Sequence, residues 1–293
     1  MPDTHESIWS HLVDVPFRQD WINAGGIKTR IVEAGSPERP TVVFLHGIAG
    51  SWEAFCANIG PFARQFRVLA FDWIGAGFTD KPEQQIYTMQ DYVKHLHDVL
   101  AAKGVARASL VGVSMGGWSA INFTHAHPEM VERLVICAAS GLRRPPGFTP
   151  PAAASIRNDR AKAIDDPSWD NVSSVFTDLI HDPVKRIPDL VKLRQTIYGM
   201  PEMKASMARI LAITATERFN ESALSDDEWR TIDQPVLLIE STSDSEHFRR
   251  NTARAHSLLK NSAVFAMEDV AHWPQFEKPD VFNQKAISFL LGQ

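Results

Sequence analysis

The most informative stretch of the chain runs from Ser109 to Ala120 and reads Ser-Leu-Val-Gly-Val-Ser-Met-Gly-Gly-Trp-Ser-Ala. An apolar run reaches Ser114, which has a glycine two residues away on each side, at Gly112 and Gly116. Small and apolar residues then continue with helical character. A Gly-x-Ser-x-Gly motif between a strand and a helix is typical of a nucleophile elbow, a tight turn with a serine at its tip. The pattern favours Ser114 as a nucleophile over an ordinary glycine-rich turn.

Composition restricts the class of protein. The chain has 293 residues, 44% of them hydrophobic, enough for one large α/β core. A formal net charge of -5 with interspersed signs argues against a nucleic-acid partner. The two cysteines, Cys56 and Cys137, do not form a disulfide framework of the secreted type. Without a leader pattern or a run of roughly 20 apolar residues, we expect a cytoplasmic protein that does not bind a membrane.

Strand-like apolar runs alternate with helical stretches along most of the chain. A hairpin is predicted over residues 17–35, and buried strands are predicted at 41–45, 66–71, 132–139, 234–240 and 263–267. The alternation predicts a mostly parallel central sheet flanked by helices, with functional loops at the carboxyl ends of the strands. A helix predicted from Met89 to Lys103 carries His95 and His97, which we expect to be solvated.

Residues 143–228 have a different pattern, with several helical stretches and no strand-like apolar run. Because strand-like segments resume afterwards, we predict a helical lid inserted before the strand that carries the catalytic acid, and not a second domain in tandem. The predicted organisation is a first part of the core at 1–142, the lid at 143–228 and the second part of the core at 229–293.

Loops after the first predicted strands supply an oxyanion hole. A glycine-bearing loop follows residues 41–45, and we assign one N–H donor to Ile48 and the second to Met115, directly after the elbow serine. His46 is interpreted as bracing this loop. Asp72, which opens the next glycine-containing loop, is interpreted as capping backbone amides and not as a catalytic acid.

The last loops supply a base and an acid. A serine hydroxyl needs a base to take its proton, and the base needs a carboxylate to fix its tautomer. His272 directly follows the last predicted strand, and Asp244 lies five residues beyond Ile239, far enough for a loop to return it to the imidazole. Asp269 is the closest rival. The order along the chain predicts a triad of Ser114, Asp244 and His272.

With these motifs in place, the chain resembles the α/β-hydrolase fold family along nearly its whole length. The resemblance lies in four segments, namely His46-Gly47, Asp72 to Gly77, Gly112 to Gly117 and Ala271 to Pro279. Within the family, the elbow and the His272-Trp273 ending are most similar to meta-cleavage-product hydrolases. That group cuts C–C bonds in vinylogous diketo acids from aromatic degradation.

The subgroup resemblance implies substrate-binding residues. Arg194 resembles the lid arginine that holds a substrate carboxylate, with a solvated lid charge as the alternative, and Trp273 resembles a pocket tryptophan. Two departures separate the chain from the subgroup, because Val113 stands where asparagine is usual and Ser241 replaces a glycine before the acid. An ester needs only a triad and an oxyanion hole, so the loss of the polar neighbour favours an ester. Ser114 excludes the family's aspartate-dependent dehalogenases and epoxide hydrolases.

We therefore predict hydrolysis of a small carboxylic ester through an acyl-enzyme. A C–C hydrolase of a 2-hydroxy-6-oxo-dienoate is the alternative, and a non-catalytic small-ligand receptor is a third hypothesis. The substrate is expected to be a small apolar or aromatic carbonyl compound, no cofactor or metal is implied, and a homo-oligomer is left open. Trp52 and Trp118 join Arg194 and Trp273 as predicted substrate-binding residues. About half of eight aromatic candidates are expected to contact substrate, namely Trp52, Trp73, Trp118, Phe148, Phe176, Tyr198, Phe219 and Trp273.

Overall fold

An eight-stranded sheet forms the centre of the computed structural model, which describes residues 7–145, 147 and 150–293. In the sheet the strand order is β1-β2-β4-β3-β5-β6-β7-β8, with the β1–β2 and β2–β4 pairs antiparallel and the other pairs parallel. The strands are β1 (Phe17–Ala24), β2 (Ile27–Ala34), β3 (Thr41–Leu45), β4 (Arg67–Phe71), β5 (Ala108–Val113), β6 (Val131–Cys137), β7 (Val236–Ser241) and β8 (Ser262–Met267). The predicted mostly parallel sheet is confirmed.

Helices flank this sheet. The α-helices of the described residues are α1 (Cys56–Ala63), α2 (Met89–Ala102), α3 (Met115–Ala126), α4 (Pro151–Asp165), α5 (Trp169–Val175), α6 (Pro188–Tyr198), α7 (Met203–Ala212), α8 (Thr216–Ser222), α9 (Asp226–Trp229), α10 (Glu246–Leu258), α11 (Pro274–Glu277) and α12 (Pro279–Leu290). Short 3₁₀ helices lie at Ile8–His11, Trp52–Phe55, Pro128–Met130 and Pro183–Lys185. Across the described ranges, every helix is too short or too polar to cross a bilayer. We call the part from α4 to α9, between β6 and β7, the helical segment.

The central strands are buried on both faces. Every residue of β3 and of β5 is buried, because helices cover both sides of a parallel sheet and leave no solvated face for polar side chains. The carboxyl ends of β3, β5, β6 and β7 lie along one edge of the sheet. The loops at this edge carry the predicted site residues.

The first hairpin forms where the sequence predicts it. Ala24 pairs with Ile27, which leaves Gly25 and Gly26 as the two-residue turn. Their φ angles are 60° and 94°. Two successive positive φ values suit the twist of a hairpin and favour glycine at both positions.

The prediction that His95 is solvated is wrong. His95 lies on the buried face of α2, four residues before Val99, and is only 2% exposed. Its Nε2 is 2.7 Å from Thr29 Oγ1, and its Nδ1 accepts the Ile74 N–H at 3.1 Å. Burial lowers the pKa of His95 to about 3. His97, on the same helix, is partly exposed.

Acid is expected to destabilise the fold, because a buried histidine such as His95 binds a proton more readily in the unfolded chain than in the folded protein. The folded-state pKa of His95 is about 3, against about 6.5 in an unfolded chain. Between these values the unfolded state binds a proton that the native state does not, so the free energy of unfolding falls as the pH is lowered. The loss is about 1.4 kcal/mol per pH unit for each such histidine. Urea denaturation of His95→Gln from about pH 7 to pH 5 is expected to give a shallower slope than wild type. His97→Gln, a change at a partly exposed position of the same helix, is the matched control. An unchanged slope in His95→Gln would contradict the prediction.

Candidate active site

Ser114 lies at the tip of the turn between β5 and α3, in strained backbone. Its φ is 57° and its ψ is -118°, a region that non-glycine residues avoid. The Ser114 N–H donates to the Cys137 carbonyl at 3.0 Å. A Cβ on Gly112 would come within 2.5 Å of the Gly116 carbonyl carbon, and a Cβ on Gly116 would come within 1.9 Å of Leu45 O. Both positions therefore need glycine, and the strand, turn and helix lie as predicted.

His272 and Asp244 form a hydrogen-bonded pair from the loops after β8 and β7. His272 Nδ1 lies 2.9 Å from Asp244 Oδ2, and the two side chains are 5% and 7% exposed. The second carboxylate oxygen, Oδ1, accepts the Ser245 N–H at 2.7 Å, which fixes the carboxylate. Asp269, the rival acid, has an 80% exposed side chain that lies 3.6 Å from Lys278 Nζ. The structure brings His272 together with Asp244 and leaves Asp269 at the surface.

Ser114 and His272 line adjoining cavities. The Ser114 cavity has a volume of about 50 Å³, and the cavity that contains His272 and Asp244 has a volume of about 430 Å³. Ile156 and Phe248 line both, and the Phe248 ring centroid is 4.5 Å from that of His272. Within the described ranges no hydrogen bond joins Ser114 Oγ to His272. Such bonds in hydrolases often tighten only when substrate binds.

The predicted oxyanion donors lie beside the serine. Met115 is the first residue of α3, and the first amides of a helix have no acceptor within the helix. Ile48 lies on the loop after β3, and both residues line the Ser114 cavity. The loop approaches closely, since a Cβ on Gly47 would be 3.5 Å from Ser114 Cβ. Ile48, Met115 and Ser114 therefore lie around one cavity.

A profile of the alpha/beta hydrolase fold family matches residues 40–279, from just before β3 to the start of α12. The chain belongs to this family. This α/β-hydrolase is 30% identical to the 2-hydroxy-6-oxo-6-phenylhexa-2,4-dienoate hydrolase of Comamonas testosteroni, over 88% of this chain and 89% of that protein. It is 26% identical to carboxylesterase YbfK of Bacillus subtilis (strain 168), over 90% of this chain and 85% of that protein.

Solved structures agree on the fold of this α/β-hydrolase. The 2-hydroxy-6-oxo-6-phenylhexa-2,4-dienoate hydrolase from Rhodococcus sp. strain RHA1 superposes with a TM-score of 0.82 at 20% identity, over 95% of this chain and 100% of that chain. Identity this low shows the fold alone. Together with the family match, it confirms the predicted α/β-hydrolase fold and the resemblance to C–C hydrolases and esterases.

His46 braces the loop after β3 (residues 46–51), as the sequence predicts. The ring is fully buried, with Nδ1 2.7 Å from Gly47 O, and Nε2 accepts the Trp73 N–H at 3.1 Å. Burial lowers the pKa of His46 to about 4, so the ring is neutral at pH 7. The imidazole therefore links two loops of the site edge.

Asp72 caps backbone amides, also as predicted. It accepts the N–H groups of Trp52 and Phe78, each at 2.9 Å, and lies 2.7 Å from Arg30 Nε. Arg30 also pairs with Glu53 at 2.8 Å, and its guanidinium lies 5.6 Å from the Trp52 ring. Trp52, a predicted substrate-binding residue, is thus packed against a buried ion-pair network and lines neither of the two cavities in the described part of the chain.

Arg194 is buried on α6, with 3% exposure, so the alternative of a solvated charge is wrong. Its Nη1 donates to the Ala49 carbonyl at 3.0 Å and to the Tyr198 hydroxyl at 3.3 Å. The Phe176 ring lies 5.5 Å from the guanidinium. Because Ala49 directly follows Ile48, Arg194 ties the loop after β3 to the helical segment.

The predicted aromatic residues divide between cavity and core. Trp118 and Phe219 line the Ser114 cavity, with ring centroids 4.5 Å apart. Trp273 is 3% exposed, packs against Phe176 with the ring centroids 5.9 Å apart, and lines neither cavity in the described part of the chain. Phe148 lies outside the described residues.

The sequence analysis did not predict a role for Glu277 at the site. Its carboxylate accepts the N–H of Ala271 at 2.6 Å, directly before His272, and also the N–H groups of His181 at 2.7 Å and Asp182 at 3.1 Å. Burial raises the pKa of Glu277. One carboxylate therefore holds both the His272 loop and the helical segment. A signal was available, because Glu277 lies in the segment after His272 that carries the resemblance.

Arg144 was also missed, and it lines the Ser114 cavity. Its guanidinium stacks 3.5 Å from the centroid of the Phe219 ring, and Nη1 donates to Thr214 O at 3.3 Å. Nε is buried without a hydrogen-bond partner in the described part of the chain. Burial lowers the pKa of Arg144 to about 10, which leaves the group charged at pH 7.

Proposed function

We propose that this α/β-hydrolase cleaves a small carboxylic ester through an acyl-enzyme on Ser114. The observation that carries the proposal is the buried His272–Asp244 pair, with 2.9 Å between Nδ1 and Oδ2, next to a serine on a strained elbow. A base oriented by a carboxylate, with a serine hydroxyl that lines an adjoining cavity, is the arrangement that nucleophilic acyl transfer requires.

In the proposed reaction, Ser114 Oγ attacks the ester carbonyl carbon while His272 Nε2 takes the hydroxyl proton. The N–H groups of Ile48 and Met115 donate to the oxyanion of the tetrahedral intermediate. The C–O bond then breaks, and His272 gives its proton to the departing alcohol. Water attacks the acyl-enzyme with His272 again as base, which releases the acid and restores Ser114. Asp244 holds the imidazole and stabilises its protonated form throughout.

An ester is favoured by the residues beside the nucleophile. Val113 is apolar and fully buried, so it offers no side-chain hydrogen bond to substrate. Nη1 of Arg194 already donates to Ala49 O and to the Tyr198 hydroxyl. The triad and the two amides at Ser114 are sufficient for an ester. We further propose that the helical segment acts as a lid. The hydrogen bond between Arg194 and Ala49, in the loop after β3, supports this role.

C–C hydrolysis is the second candidate. It is supported by the 30% identity to the phenylhexadienoate hydrolase of Comamonas testosteroni. It is also supported by the burial of Arg194 beside the loop that contains Ile48. In this reaction Ser114 would attack the 6-oxo carbonyl of a 2-hydroxy-6-oxo-dienoate, and the dienoate part would leave as a carbon group. A buried guanidinium near the site suits its carboxylate.

A paired assay tests the proposal. We expect kcat/KM to be higher for 4-nitrophenyl butyrate than for 2-hydroxy-6-oxo-6-phenylhexa-2,4-dienoate. Arg194→Ala is expected to lower the ester value by about tenfold or less, because Arg194 only holds the loop. Lys192→Ala, an exposed change on the same helix, is the matched control. Faster dienoate cleavage that falls by about 100-fold or more in Arg194→Ala would favour C–C hydrolysis. Turnover of neither substrate would contradict both candidates and leave the receptor hypothesis.

A further inference from the structure

The Ser114 cavity has one positive charge and no negative charge among its described lining residues. Arg144 is the cation, and no carboxylate of the described part of the chain lies within ion-pair distance of it. His247 lines the same cavity, but burial and then the Arg144 charge lower its pKa to about 4, so it is neutral at pH 7. An uncompensated charge that lines a cavity attracts an anion.

The Arg144 guanidinium is held in place, and its Nε donor is unpaired in the described part of the chain. Asn220 fixes the backbone, since its Oδ1 accepts the Arg144 N–H at 2.8 Å and its Nδ2 donates to Arg144 O at 2.9 Å. Phe219 fixes the plane of the guanidinium at 3.5 Å, and Thr214 O accepts from Nη1 only. Nε has no partner among the described residues. A planar group with free donors on one side matches the two oxygens of a carboxylate.

The neighbouring residue, Arg143, differs from Arg144 in exposure, in hydrogen-bond partners and in its position relative to the Ser114 cavity. Arg143 has a side chain that is 51% exposed and lies 3.9 Å from Glu228. Its Nε donates to the Ala223 carbonyl at 3.0 Å. Arg143 does not line the Ser114 cavity. The two adjacent arginines therefore provide a test residue and a matched control.

We propose that Arg144 binds an anionic group on the acyl part of the substrate. This rests on the proposed function, in which His272 protonates the leaving group, so the leaving group must lie in the cavity that His272 lines. Arg144 lines the other cavity, with Ser114 and without His272. The acyl part, which stays on Ser114 after the first step, therefore faces Arg144. The cavity of about 50 Å³ suits a short acyl chain that ends in a carboxylate, as in a half-ester of a short dicarboxylic acid.

The kinetic test compares acyl groups with one leaving group. The substrates are mono-4-nitrophenyl succinate, which has a carboxylate on the acyl chain, and 4-nitrophenyl butyrate, which has none. In Arg144→Met the succinate-to-butyrate ratio of kcat/KM is expected to fall by about 10- to 100-fold. Arg144→Lys keeps the charge and should retain part of the ratio, and Arg143→Met should keep it within about twofold. A ratio that is unchanged in Arg144→Met would overturn the proposal.

A third substrate tests whether the anion that Arg144 binds belongs to the acyl part or to the leaving group of the ester. In 4-carboxyphenyl butyrate the carboxylate is on the leaving group. The kcat/KM for this ester relative to 4-nitrophenyl butyrate is expected to be the same in wild type and Arg144→Met. A fall as large as that for the succinate ester would overturn the assignment of Arg144 to the acyl side.

A binding test is independent of turnover. In Ser114→Ala protein, calorimetric titration is expected to show succinamate binding about tenfold or more tightly than neutral succinamide. The preference should disappear when Arg144→Met is added and persist when Arg143→Met is added. Equal affinities, or a preference that survives Arg144→Met, would overturn the proposal. Failure of the proposed function appears separately, as a wild-type protein that cleaves no ester but still prefers succinamate.

Discussion

Ser114→Ala is expected to lower kcat/KM for 4-nitrophenyl butyrate by about 10⁴-fold or more, with the protein still folded. The change removes the proposed nucleophilic oxygen but leaves the elbow, whose strain is set by the glycines around it. Wild type is expected to release a burst of 4-nitrophenolate as the acyl-enzyme forms, and the variant none. Steady-state and stopped-flow assays measure both effects, with circular dichroism to verify folding.

Ser119→Ala is the matched control for this loss. Ser119 lies on α3, and its hydroxyl donates to the Met115 carbonyl within the helix. The same chemical change there should alter kcat/KM by about threefold at most. If Ser114→Ala kept more than about 1% of wild-type activity, Ser114 would not be the nucleophile.

Asp244→Asn is expected to lower kcat/KM by about 10³- to 10⁴-fold. An asparagine at this place can present an N–H to His272 Nδ1, which favours the wrong imidazole tautomer and removes the charge that stabilises imidazolium. The same ester assay measures the loss, and thermal denaturation verifies that the fold is kept.

Asp269→Asn provides the comparison, because the two aspartates compete for the same role in the sequence. The Asp269 side chain is 80% exposed, so its replacement should change kcat/KM by about threefold at most. Loss of activity in Asp269→Asn together with an active Asp244→Asn would transfer the acid role to Asp269.

The sequence predicts those features that depend on local geometry. Gly112 and Gly116 constrain the elbow within a few residues, so a short motif was enough to place Ser114 between strand and helix. The buried strands could be recognised because a parallel sheet covered on both faces needs continuous apolar runs. Asp244 could be preferred over Asp269 because the loop after a strand must be long enough to return a carboxylate to the histidine.

Contacts between distant parts of the chain could not be predicted in this way. Arg143 and Arg144 are the same residue type at adjacent positions. Arg143 is a surface charge and Arg144 lines the Ser114 cavity only because the two side chains contact different remote residues. Trp52 follows the loop after β3 in sequence. It packs against the ion pairs of Arg30, which lies on β2, and so does not line the Ser114 or the His272 cavity in the described part of the chain. His95 is different, because its helical spacing from Val99 is that of the buried face of α2, although its side chain is polar.

The Glu277 carboxylate has a consequence for how this family diversifies. Its hydrogen bonds to the N–H groups of Ala271, His181 and Asp182 make the position of the His272 loop depend on the helical segment, which a different stretch of the gene encodes. A chimaera that exchanges the helical segment with that of a relative would lose the hydrogen bonds to Glu277, unless the incoming segment presents two amides at the same place. The helical segment and the His272 loop therefore cannot be recombined as independent modules, and an exchange has to include the residues that contact Glu277.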